Sequence, residues 1–169
     1  MTGAVNVRAA LQAAIAHANR VVRVENRGDL GQEAGALQAV RDRYGLEQKR
    51  NVTLADVRNI AKYAEEYHLG NCGEIAAVAF CHLLDRTRVR PVEFVVMTGR
   101  GDHTFVVAGR PAGTPASSCG PDVLVCDPWL RRVYPLAQAG QQVGGFAGGA
   151  SAAGLCALVR VGVAGVERV

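Results

Sequence analysis

Lysine is almost missing from this chain. Lys49 and Lys62 are the only two, so the formal net charge of +4 rests on arginine. The arginines are scattered, aromatic residues make up only 5% of the chain, and no zinc-finger or helix-turn-helix pattern accompanies the charge. That combination argues against nucleic-acid binding. No apolar run reaches the ~18 residues of a membrane-spanning helix, so no membrane span is expected. The N-terminus lacks a basic stretch leading into a continuous apolar core, so a cleaved secretory signal is not expected, although export without one stays open. Neither a P-loop nor a dinucleotide fingerprint occurs. The late glycines (Gly144, Gly145, Gly148, Gly149) lack the flanking strand and helix of a phosphate cradle, so no cofactor is expected. Five cysteines leave at least one thiol unpaired in any monomer. Cys119 and Cys126 are close enough in sequence to pair, yet no dense disulfide framework is present, which favours a reducing compartment. Cys72, Cys81, His82, Cys119 and Cys126 show none of the spacings of a zinc site, so no metal is expected.

What is present fits one domain over residues 1–169, with 49% hydrophobic residues to build a core. The bias toward Ala, Arg, Gly and Val suggests a GC-rich, bacterial coding genome. Apolar residues recur at helical spacing from Val5 to about Arg27 and again from Gln32 to Tyr44. A third helix runs from Thr53, a natural N-cap, to Tyr67. After Gly70, Cys72 to Leu84 is apolar on most sides and belongs in the middle of the molecule. The second half reads as strands: Val92 to Thr98 and His103 to Gly109 about a Gly99–Asp102 turn, then Val123 to Asp127, Val133 to Leu136 and Ala157 to Val163. Arg110 to Pro121 reads as a loop, and the Gly-, Ala- and Gln-rich stretch 137–155 as a mobile one. The expected fold is α+β. Residues 1–65 are helical, and residues 66–136 pack a buried, nucleophile-bearing helix on an antiparallel sheet.

The chemistry concentrates in Gly70-Asn71-Cys72-Gly73-Glu74. A glycine turn places Cys72 in the first turn of a helix, where unpaired N–H groups and the helix dipole favour an anion. The N–H groups of Cys72 and Gly73 can stabilise an oxyanion, and Asn71 can add an amide donor. Read blandly, Cys72 is a small core side chain. His103, at the start of a strand after a Gly-rich turn, can reach a helix terminus and act as general base. His17, His68 and His82 read as ordinary helix-face residues. Asp127 ends an apolar strand before Pro128, and a carboxylate there needs a partner, which an imidazole on the next strand supplies. Asp102 is the rival acid, but neighbours along a strand point to opposite faces.

These segments, Gly70 to Glu74, Gly101-Asp102-His103-Thr104-Phe105-Val106-Val107 and Val125-Cys126-Asp127-Pro128-Trp129 with Val133-Tyr134-Pro135, resemble the Cys-His-Asp effector and toxin domains of pathogenic bacteria. That group comprises the deamidase domain of the Pasteurella multocida toxin, related Salmonella effectors and the YopT-like cysteine proteases. The resemblance covers residues 66–136. It implies a papain- or transglutaminase-like core, with Cys72 as nucleophile, His103 as base and Asp127 as acid. It further implies a secreted or translocated hydrolase working in the cytoplasm of a target cell. The reaction would be deamidation of a glutamine or asparagine side chain in a host or rival-cell protein, or YopT-like cleavage of that protein. A chaperone or immunity protein is the further partner such effectors admit. The remaining alternative is a non-catalytic binding domain in which Cys72 is a relic.

Overall fold

Apolar residues at three- and four-residue spacing coil the first half into helices. In α1 (Val7–Val21), Leu11, Ala14, Ile15 and Ala18 form the buried face, and Asn6 caps the start by accepting the Ala9 N–H. The computed structural model describes residues 6–24, 33–44, 51–98, 102–143 and 154–167. The second helix is α2 (Glu33–Tyr44). The third, α3 (Leu54–Tyr67), opens with a reciprocal capping box between Thr53 and Asp56. It closes at His68, which adopts a left-handed φ of 57° and sets its ring Nδ1 2.9 Å from the Val21 carbonyl. His68 therefore ends the helix instead of lying on its face. Two short strands, β1 (Arg23–Val24) and β2 (Leu69–Gly70), pair in parallel. No apolar pattern announces them. The buried helix α4 (Cys72–Arg86) follows, with Ile75 through Phe80 all inaccessible to solvent.

Six strands form the sheet: β3 (Val92–Thr98), β4 (Asp102–Ala108), β5 (Leu124–Asp127), β6 (Arg132–Pro135), β7 (Leu155–Gly162) and β8 (Gly165–Glu167). Their order is β6-β5-β4-β3-β7-β8, antiparallel throughout. The α+β architecture is as expected. The last predicted strand begins two residues early and turns back into β8. The predicted turn residues 99–101 and the segment 144–153 lie outside the described residues. Among the described residues, no helix is long and apolar enough to cross a membrane.

The helices cover one face of the sheet over Phe94, Val106, Cys126 and Val159. The other face carries Val95, Met97, Phe105, Val107 and Val125, and it too is buried. Strands that are apolar on both faces need cover on both. The cover comes from segments that read as loops. The 110–121 stretch contributes a 3₁₀ turn (Ala116–Ser118) that buries Ala116. Residues 136–143, ending in α5 (Ala139–Val143), contribute Leu136, Ala139 and Val143. Cys126 packs with the helical core and Cys119 against the opposite one, so these two thiols do not meet, and all five cysteines are free.

An ionic cluster ties this second layer down. Glu93, 2% exposed, accepts from Arg110 Nε at 2.6 Å, Arg110 Nη2 at 3.0 Å and Arg160 Nη1 at 2.7 Å. Arg160 also donates to the Arg110 carbonyl and to Glu167. Removing the shared carboxylate takes away Arg110's carboxylate partner and leaves Arg160 with Glu167, and breaking a buried pair from one side costs about 3–5 kcal/mol. Glu93→Ala is expected to lower the urea midpoint by that order, with the loss confined to stability. A loss below about 1 kcal/mol would place the cluster among solvated surface pairs.

Candidate functional site

The position of Cys72 follows from local chain geometry. Gly70 pairs in β2 and lies so close to α4 that a Cβ there would sit 2.6 Å from Glu74 Cβ and 3.1 Å from Val22 Cγ1. Only glycine lets the chain enter the helix this tightly. Glu74 then locks the entry. Its Oε2 accepts the Asn71 N–H at 2.9 Å, and its carboxylate receives Arg41 Nε at 2.7 Å and Nη2 at 2.9 Å. Asn71 Oδ1 is buried and has no hydrogen-bond partner among the described residues. The result is a rigid helix start carrying Cys72, whose own N–H and that of Gly73 lie in the first turn without intrahelical acceptors.

His103 comes from β4, opposite Met97 of β3, and is 2% exposed. β5 pairs with β4 only from Val106 to Ala108, so β5 leaves the stretch of β4 that carries His103 uncovered. Asp127, fully buried at the end of β5, takes His103 Nε2 at 2.8 Å on its Oδ2. The Cys72 thiol is the ring's other polar neighbour, close enough to act on its charge. The structure thus pairs His103 with Asp127 and places Cys72 within electrostatic reach of the same ring.

Electrostatics follow from that arrangement. Burial alone would push the His103 pKa down, but Asp127 and Cys72 outweigh it and hold the ring up at about 9. Burial pushes the Cys81 thiol up to about 11, and it pushes Cys126 and Cys119 up as well. None of these three has an imidazole as a side-chain partner.

The acid has supports that the sequence motifs did not single out. Tyr134 donates its hydroxyl to Asp127 Oδ2 at 3.0 Å, and the Leu130 N–H donates to Oδ1 at 2.9 Å. Burial first, then the adjacent carboxylate, push the Tyr134 phenol well above its ordinary value, so it remains a donor. The spacing Asn71-x-x-Glu74 is a legible helix-start signal for Glu74. Nothing local marks Tyr134 or Arg41, since each depends on a partner from another element. Of the rival acid, Asp102, the side chain lies outside the described residues. His17 and His82 stack at 4.6 Å between ring centroids, between α1 and α4, away from the start of α4. Among the described residues, no group of three His, Cys, Asp or Glu side chains is arranged to hold a metal ion.

A pocket of about 220 Å³ lies against the start of α4. Gly73, Thr104 and the Arg41–Glu74 pair border it, and Ile60, Phe94 and Leu158 form apolar walls; Thr104 and His103 point to opposite faces of β4. No protein-family model matches the chain, and no curated protein matches it in sequence.

Proposed function

We propose that this chain is a thiol-dependent amide hydrolase that deamidates a glutamine or asparagine side chain of a target protein. The observation that carries the reading is the buried His103–Asp127 pair with the Cys72 thiol near enough to act on the ring. His103 takes the Cys72 proton, and the sulfur adds to the amide carbon. The oxyanion is met by the Cys72 and Gly73 N–H groups, with Asn71 beside them. His103 returns the proton to the departing nitrogen, the C–N bond breaks, and ammonia leaves behind a thioester. Water, deprotonated by the same ring, then attacks the thioester. The C–S bond breaks, and the carboxylic acid product and the free thiol are released. Asp127 holds the ring orientation and the positive charge throughout.

The resemblance of residues 66–136 supports placing this chemistry on a papain- or transglutaminase-like core in a bacterial effector or toxin that acts in the cytoplasm of a target cell. A second reading is YopT-like cleavage of a peptide bond. The intermediates are the same, and only the leaving amine differs.

The test has two parts. Iodoacetamide is expected to label Cys72 at neutral pH faster than Cys156, which is exposed, and far faster than Cys81 or Cys126. Mass spectrometry of candidate targets incubated with the wild-type chain then distinguishes a carboxamide converted to a carboxylate from a cut chain. Equal labelling of Cys72 and Cys156 would leave a non-catalytic binding domain as the better reading.

A further inference from the structure

We propose that Asn19, on α1, is a positioning residue that clamps the turn after β5 and so holds Asp127 against His103. The inference rests on the catalytic reading above and gives the N-terminal helix, outside the 66–136 resemblance, a part in the site.

Both ends of the Asn19 amide are used. Its Nδ2 donates to the Pro128 carbonyl at 2.8 Å and to the Ile15 carbonyl of its own helix at 3.1 Å, and its Oδ1 accepts from Arg131 Nε at 2.9 Å. Pro128 directly follows Asp127, and Arg131 closes the same turn before β6. Asn19 therefore grips the turn at its first and last residues. Between those two points lies Leu130, whose N–H donates to Asp127 Oδ1. Arg131 has a φ of 57°, a left-handed conformation that a non-glycine residue adopts at a cost and keeps only when its surroundings hold it there. Packing of α1 does not require this clamp, because the helix already buries Leu11, Ala14, Ile15 and Ala18. A bidentate amide aimed at one turn specifies orientation beyond attachment.

A purely structural tether supplies the contrast. Arg8, also on α1, donates Nη1 to the Val133 carbonyl of β6 at 3.1 Å, a hydrogen bond to the strand and not to the turn. The readout is the His103 imidazole titration, followed by nuclear magnetic resonance on the full chain, alongside melting temperature. Asn19→Ala and Arg131→Ala are each expected to lower the His103 midpoint from about 9 by roughly half a unit or more, the scale of one lost hydrogen bond. The double variant should lower it no further than either single one, since all three break the same clamp. Arg8→Ala should lower the melting temperature and leave the midpoint in place. If Asn19→Ala and Arg8→Ala both reduce only the melting temperature, Asn19 merely docks a helix and the inference fails. Iodoacetamide labelling of wild-type Cys72 reports separately on the catalytic reading. Slow labelling with a shifted His103 midpoint in Asn19→Ala would sink that reading and leave the clamp intact.

Discussion

Cys72→Ser is expected to fold like the parent and to lose turnover by roughly 10³-fold or more. The exchange replaces one atom at a half-buried position, so the packing of α4 against α1, α3 and the sheet is untouched. What changes is ionisation: a hydroxyl gives up its proton far less readily than a thiol to the same imidazole. The two halves of the result are measured separately, stability by a urea titration and turnover by mass spectrometry of the product. A Cys72→Ser protein that still works would remove the thiol from the mechanism. A matched loss of stability and activity would make Cys72 a packing residue.

Asp127→Asn carries the second large effect. Asp127 is fully buried and accepts three hydrogen bonds, from His103 Nε2, the Tyr134 hydroxyl and the Leu130 N–H. An asparagine can accept with only one of its two terminal atoms, so at least one donor then faces an N–H₂ group. The His103 ring loses the charge that stabilises its protonated form and favours the wrong tautomer. Turnover is expected to fall by roughly 10²-fold or more, short of the ~10⁴ seen when the acid of a serine-protease triad is changed, because a thiol ionises more easily. Stability should show the same loss as a change in pH dependence. The folded-state pKa of His103 is raised, from an ordinary value near ~6.5 to about 9. Its protonation therefore favours the fold, with the contribution complete below ~6.5 and lost as pH rises through about 9. Urea midpoints for the wild type should decline across that window, and those for Asp127→Asn should decline much less. Parallel declines in the two proteins would mean that some other group supplies the pH dependence.

By itself the sequence determined what depends on short stretches of chain. Apolar spacing is enough for α1, α3 and α4, and short apolar runs rich in β-branched residues bounded by turn signals are enough for β3, β4 and β5. Thr53 and Asp56 mark a helix start because both halves of the cap lie within four residues. Gly70-Asn71 before Cys72 marks another, and with it the electrostatic setting of the thiol. Tertiary structure decided everything that needs two distant segments. The pairing of Val106 with Cys126 sets the register that brings Asp127 to His103, 24 residues away. Arg41 meets Glu74 across 33 residues, and Asn19 meets Pro128 across 109. The covering of the second sheet face by residues 110–121 and 136–143 was also a tertiary outcome. Those segments carry too few apolar residues to show a period, and they fold where they do because an apolar sheet face would otherwise meet water.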